Sequence, residues 1–280
     1  MDPEIQLIID RALSEDLQGG DVTTRALIRD AFHGDASFIS EESGVLSGLE
    51  VSMAVFTKVD PSLNVDVLIK EGESVSSGDI LGVVKGSMAS ILAAERTALN
   101  FVRKLSGIAT ETQAYVKAVN PYGTRILDTR KTTPGLRLLE KRAVLAGGGQ
   151  NHRYNLSDGV LIKDNHIEAL KIEGLDISEI IARARSNAPH TLKIEIEVEN
   201  LLQVSDALDA GVDVLLLDNM GLSDMRKAVK MCRGRALTEA SGRVSIETVS
   251  QIAETGVDMI SVGALTHSSK SLDIGLEICV

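Results

Sequence analysis

The spacing of apolar residues changes once along the chain, and the change separates two kinds of sequence. Ile5, Ile8, Ile9 and Ala12 recur at helical intervals and predict a helix over 5–13. Residues 36–40 and 45–46 read as short strands, 51–59 as a helix and 65–69 as an alternating strand. In EGESVSSGDILGVVKG, Gly72, Gly78 and Gly86 separate short apolar pieces, the pattern of tight turns in a small β unit. A helix is predicted from about 88 to 104.

After Pro121, short β-rich runs alternate with helical ones. TRILDT precedes RLLEKRAVLAG, GVLIKD precedes ISEIIARARSN, and LKIEIEV precedes LLQVSDALDAG. DVLLLD precedes LSDMRKAVKMC, ALTEAS precedes IETVSQIAETG, and MISVG closes the series. Such alternation with apolar strands predicts a parallel sheet covered by helices. Six such strands lacking the glycine fingerprint of a dinucleotide fold favour a barrel over an open doubly wound sheet. Barrel chemistry gathers where strands end. Those positions are Asp128, Arg130 and Lys131; Lys163, Asp164, Asn165 and His166; Glu195, Glu197 and Glu199; Asp218 and Asn219; Glu239, Ser241 and Gly242; and Ser261 and Gly263.

Composition narrows the function. A net charge of −11 with 2% aromatic residues and no Trp offers neither a stacking platform for bases nor attraction to a phosphate backbone, so no nucleic-acid role is expected. The opening MDPEIQLIIDRALSED reads as an amphipathic helix and not as a signal peptide, and no apolar run is long enough for a bilayer. Cys232 and Cys279 have no ligand-like spacing, so a reduced cytoplasmic protein without a disulfide framework or zinc site is expected.

Charge is unevenly spread. Residues 125–163 carry eight Lys or Arg against three acids, a balance of +5, which leaves −16 for the rest. A basic island in an acidic chain points to a small anionic ligand. Arg137, Lys141 and Arg142 fall on a predicted helix and read as a solvated face, whereas Arg130, Lys131, Arg153 and Lys163 fall in loops or at strand ends. An arginine fork suits a planar carboxylate. Gly147, Gly148 and Gly149 precede His152 and Arg153 and read as a binding loop. Glu195, Glu197 and Glu199 share one face of a strand, and Glu197 with Asp218 makes an oxygen pair suited to Mg²⁺ together with water and substrate phosphate. EASGR and ISVGA supply small residues ahead of the last helices, where many barrels bind phosphate.

The motifs ERTALNFVRKLSGIAT, DTRKTTPGLR, AGGGQNHR, LIKDNH, EIEVEN, LLLDN, EASG and ETGVDMISVGALTHS, in this order, resemble the quinolinate phosphoribosyltransferases, as does EDLQGGDVTT near the start. The resemblance implies an α/β protein: an N-terminal α/β sandwich domain over 1–105, joined by a returning tail at 268–280, and an incomplete parallel α/β barrel, TIM-like, over 106–267. It also implies phosphoribosyl transfer from phosphoribosyl pyrophosphate to quinolinate with decarboxylation, in NAD biosynthesis, with Mg²⁺ and no organic cofactor. Arg130, His152, Arg153 and Lys163 would hold the two carboxylates, with Lys131 in the same pocket as a catalytic group. Glu197 and Asp218 would stand by the ribose and the Mg²⁺–pyrophosphate, and Ser241, Gly242, Ser261 and Gly263 by the 5′-phosphate. Arg96 resembles the arginine that family members donate to a neighbouring subunit, which implies a homodimer or a larger assembly; its alternative is a surface pairing with Glu95 or Glu111. Arg243 departs from the glycine usual at its position. Rival readings are a nicotinate phosphoribosyltransferase, the molybdenum-transport-associated paralogue and a non-catalytic anion-binding protein. The density of cations favours a dicarboxylate, and simple anion binding would not need Glu197 and Asp218.

Overall fold

The structure, a computed structural model, describes residues 2–29 and 31–279. Its contacts divide it into two units, Met1–Gln113 with Thr132–Gly149 and Leu265–Val280, and Ala114–Lys131 with Gln150–Ala264.

The first unit opens with the helix Pro3–Leu17, started by Asp2, whose side chain accepts the Glu4 N–H, and by a proline at the first turn. That helix buries Ile5, Ile8 and Ile9. Strands β1 (His33–Ser40), β2 (Gly44–Val45), β3 (Asn64–Val67), β4 (Ser74–Val75) and β5 (Ile80–Ser87) follow, with the helix Leu49–Val59 between β2 and β3. β2 and β4 pair by themselves, and β1, β5 and β3 form a larger antiparallel sheet. Phe38 of β1 meets Phe56 of the helix edge to face, with ring centroids 5.8 Å apart. The helix Met88–Val119 continues well past its expected end, because Leu105, Ile108, Thr112, Tyr115 and Val119 carry the buried stripe onward at helical spacing.

The second unit holds six parallel strands: β6 (Arg125–Leu127), β7 (Val160–Ile162), β8 (Ile194–Val198), β9 (Val214–Asp218), β10 (Leu237–Ser241) and β11 (Met259–Ser261). Their order, β6-β11-β10-β9-β8-β7, is cyclic in sequence and broken once, between β6 and β7. This is an incomplete barrel. At the break, Gln150 bridges to Leu127 and donates its N–H to the Ile126 carbonyl at 2.8 Å. Register fixes the faces: Glu195 pairs with Val214, and Glu197 pairs with Leu216, which in turn pairs with Glu239. The alternate residues Ile196, Val198, Leu215, Leu217, Ala240 and Ile260 are buried apolar groups. The acids therefore lie on the opposite, interior face. A helix not anticipated from the sequence, Asp164–Lys171, follows β7, and the His166 Nδ1 accepts the Lys163 N–H at 2.9 Å across its first turn.

Strand β12 (Ile274–Cys279) pairs antiparallel with β1, so the chain end returns to the first unit. The segment Thr132–Gly149, expected with the barrel, clusters with the first unit instead. The reason is packing: a β-carbon on Gly147 would lie 2.3 Å from the Ala109 carbonyl oxygen. The glycine run permits a close approach to a helix. Lys141, expected on a solvated face, is 1% exposed beside the fully buried Glu140, whose carboxylate accepts the N–H and hydroxyl of Thr133.

Candidate active site

At the C-terminal ends of the barrel strands, the second unit encloses a cavity of about 310 Å³. Arg130, Lys131, His152, Arg153 and Lys163 line it, with Ser241 and Ser261 on the phosphate side expected from the sequence. Arg130 and Lys131 follow β6, His152 and Arg153 come from the segment that bridges to β6, and Lys163 follows β7, so the sheet places cations that are remote in sequence around one space.

Arg153 is half-buried, and burial followed by the positive charge of Arg130 lowers its pKa, with Glu195 and Asp158 opposing. Two guanidinium groups held close enough to repel are favoured once an anion enters between them. The loop carrying Arg153 is fixed from below. Asp128, fully buried at the end of β6, accepts the His152 backbone N–H at 2.8 Å. The Arg153 N–H in turn donates to His152 Nδ1 at 2.7 Å. On the other side of the ring, Nε2 stands 3.3 Å from Glu195 Oε2 and 3.4 Å from Glu239 Oε2.

Burial works to lower the His152 pKa, and hydrogen bonding to Glu195 and Glu239 more than reverses this, raising it to about 10. Both that shift and the geometry keep a proton on Nε2. They part over Nδ1, where the Arg153 amide leaves no room for a second proton. On that geometry the ring is singly protonated, and burial raises the Glu195 pKa beside it. The same three residues are close enough to share a metal ion. A metal-bound histidine, however, donates through its other ring nitrogen, and here that nitrogen accepts.

Glu197 is half-buried on β8, its Oε2 3.9 Å from Lys163 Nζ and without a hydrogen bond. Burial raises its pKa, Lys163 opposes, and Asp218 and Asp164 add to the rise. Asp218 accepts a hydrogen bond from Asn219 Nδ2 at 2.7 Å. Two neighbouring carboxylates that repel, one with an unpartnered buried oxygen, fit a hard divalent cation with water and phosphate as its other ligands. Neither residue lines the cation-rich cavity; Lys163, which does line it, stands 3.9 Å from Glu197. Glu199 does not join them, because β8 ends at Val198 and Glu199 is exposed.

The loop after β10 is tightly built. Gly242 has φ +95°, and a β-carbon there would lie 2.3 Å from Asn219 Oδ1. Asn219 and Arg243 also hold positive φ, 51° and 48°. Gly263 is half-buried just beyond β11 and does not line the cavity. Arg96 belongs to the first unit, where it is exposed and lines a cavity of about 460 Å³ with Arg11 and Lys104. Among the described residues it makes no ion pair with Glu95 or Glu111.

The sequence placed Asp128, Glu195 and Glu239 at strand ends but gave Asp128 and Glu239 no task. The available signal was period two: Glu239 lies two residues before Ser241 and so shares its interior face.

Known proteins place this geometry. Residues 108–277 match the family described as quinolinate phosphoribosyl transferase, C-terminal domain, and residues 21–106 match its N-terminal domain. A relative from Synechocystis sp., named probable nicotinate-nucleotide pyrophosphorylase (carboxylating), is 42% identical over 269 residues, covering 95% of this chain and 90% of that one. The mitochondrial quinolinate phosphoribosyltransferase (decarboxylating) 2b of Nicotiana tabacum is 41% identical over 291 residues, covering 98% and 82%. The solved nicotinate-nucleotide pyrophosphorylase of Francisella tularensis is similar with a TM-score of 0.93 at 37% identity, covering 100% of this chain and 98% of that one.

Proposed function

Because the chain belongs to the quinolinate phosphoribosyltransferase family, we propose that its barrel cavity is where quinolinate receives a phosphoribosyl group and loses carbon dioxide. The chain transfers phosphoribosyl from phosphoribosyl pyrophosphate to quinolinate and releases pyrophosphate and carbon dioxide, leaving nicotinate mononucleotide. One observation carries the assignment of the site: Arg130, Lys131, Arg153 and Lys163 meet around a single cavity in a chain of net charge −11.

Arg130, Arg153 and Lys163 hold the two adjacent carboxylates of quinolinate. His152 lines the same cavity, but both of its ring nitrogens are engaged, so it serves the substrate through Arg153. Glu197 and Asp218 face the ribose, where positive charge builds at the anomeric carbon as pyrophosphate departs, and their negative charge offsets it. The same two residues would hold Mg²⁺, which when bound neutralises charge developing on pyrophosphate. Ser241, Gly242, Ser261 and Gly263 offer hydroxyl and backbone N–H groups to the 5′-phosphate.

The ring nitrogen forms the new bond to the anomeric carbon as the bond to pyrophosphate breaks. The ring is then cationic, so the bond from its carbon to the adjacent carboxylate can break with the electron pair kept on the ring. Carbon dioxide leaves and that carbon takes up a proton. Lys131 stands in the cavity to orient the departing carboxylate or to supply that proton. No organic cofactor enters.

Arg96, exposed on its helix, reaches the site of a second copy, and the working unit is a homodimer or a larger assembly. Two free cysteines and the absence of any helix long and apolar enough to cross a membrane, among the described residues, support a cytoplasmic setting.

Calorimetric titration tests the substrate assignment. Quinolinate should bind at least tenfold more tightly than nicotinate, because the second carboxylate adds a charge-assisted pair worth roughly 1.5–3 kcal/mol. Equal affinities would remove the dicarboxylate reading.

A further inference from the structure

Buried side chains that the reaction above does not use are few in the barrel interior, and two of them meet. Glu239 is 1% exposed and Glu195 is 8% exposed. Each keeps one carboxylate oxygen, Oε2, on His152 Nε2, while its Oε1 is buried without a hydrogen bond. Burying two carboxylates in this way is costly. Hydrophobic residues would pack the same strand positions more cheaply, as Val214 does beside Glu195 and Leu216 beside Glu239 in the register. The acids therefore hold something in place.

We infer that Glu195 and Glu239 are positioning residues for the quinolinate site, acting through His152 on Arg153. The chain of contacts is continuous. The two carboxylates receive the Nε2 proton from below, which sets the ring plane and leaves Nδ1 as an acceptor. That nitrogen takes the Arg153 N–H at 2.7 Å, while Asp128 takes the His152 N–H at 2.8 Å. Residues 152 and 153 are thus held by backbone and ring together, and the Arg153 guanidinium leaves the loop at a fixed place on the wall of the cavity. A guanidinium meets a carboxylate through two parallel hydrogen bonds, so a small tilt of its base costs one of them.

His152, Arg153 and Glu239 also line a second cavity of about 350 Å³ on the far side, toward the starts of the strands. They form the floor between the two spaces. Without the carboxylates the Nε2 edge of the ring has no acceptor between it and the lower cavity.

This inference rests on the assignment of Arg153 to a substrate carboxylate, and its test separates the two. Four variants of the full-length protein are compared in steady-state assays with both substrates: Glu239→Met, Glu239→Asp, Glu239→Gln and Arg153→Ala. Met fills the volume without an acceptor, and Asp keeps the charge but withdraws the oxygen from Nε2. Both should raise KM for quinolinate about tenfold while leaving KM for phosphoribosyl pyrophosphate within twofold. Gln still accepts from Nε2 and should restore KM for quinolinate to within about threefold of the parent. Should Glu239→Met fail to fold, Glu239→Asp carries the same expectation.

An unchanged quinolinate KM in Glu239→Asp and Glu239→Met, with Arg153→Ala raising it strongly, overturns the positioning role and leaves the substrate assignment standing. A parallel rise of both KM values in the Glu239 variants also overturns it, since general damage would act that way. If Arg153→Ala leaves quinolinate KM unchanged, the assignment of Arg153 fails and the inference falls with it.

Discussion

Asp128 and His152, 24 residues apart, are tied by a hydrogen bond from the His152 backbone N–H to Asp128 Oδ1 at 2.8 Å, with the Asp128 side chain fully buried at the end of β6. Asp128→Ala leaves that N–H without an acceptor in a part-buried setting, which costs roughly 1–3 kcal/mol. Denaturant unfolding should show the loss, and quinolinate KM should rise with it. Asp128→Asn, which retains a carbonyl oxygen, should lose less on both counts.

Glu197 should titrate above the ordinary glutamate value in the absence of divalent ions. Burial raises its pKa, the positive charge of Lys163 lowers it and the negative charge of Asp218 raises it. The signs give two opposite shifts. Asp218→Asn removes a repelling charge and moves the Glu197 midpoint down, whereas Lys163→Met removes an attracting one and moves it up. Carbon NMR of the side-chain carboxyl reads both directly.

Arg243 sits in left-handed backbone with φ 48° at the end of the phosphate-side loop. Glycine adopts that conformation freely and arginine does not, at a cost of about 1 kcal/mol. Arg243→Gly should therefore stabilise the fold by about that amount in thermal unfolding. If the guanidinium also helps to hold the phosphate, the same variant should raise KM for phosphoribosyl pyrophosphate several-fold. A gain in stability with unchanged KM would leave the arginine without a part in binding.

Lys131→Ala should slow carbon dioxide release about a hundredfold or more if the ammonium group supplies or orients the proton. Following labelled carbon dioxide alongside pyrophosphate in single turnovers separates the two bond-breaking steps. Full retention of decarboxylation removes Lys131 from that role.

The barrel was readable because its strands are short apolar runs between helices with regular spacing. All six lie where TRILDT, GVLIKD, LKIEIEV, DVLLLD, ALTEAS and MISVG placed them. Polar residues at one edge of such a sheet are visible for the same reason, which picks out Arg130, Lys131 and Lys163, while His152 and Arg153 stand out through the basic island and the AGGGQNHR stretch. What a linear reading lacks is depth and partnership. Lys141 has the sequence neighbours of a surface lysine and yet is buried, and nothing in LEKRAV signals that. Gly147 looks like part of a ligand loop because the carbonyl it must admit, that of Ala109, lies far away in sequence. Lys163–His166 reads from sequence as a strand end, and Asp-Asn-His suits a cap as well as a coil; the Lys163 N–H to His166 Nδ1 bond closes the first turn of a helix there. Glu239 was visible as a strand-end acid, but its task depends on His152, which approaches from another segment.

Turnover of the purified protein with phosphoribosyl pyrophosphate, Mg²⁺ and either quinolinate or nicotinate tests the central claim most directly. Nicotinate mononucleotide and carbon dioxide should form in equal amounts from quinolinate, with nicotinate inert. Formation of nicotinate mononucleotide from nicotinate and none from quinolinate would contradict it.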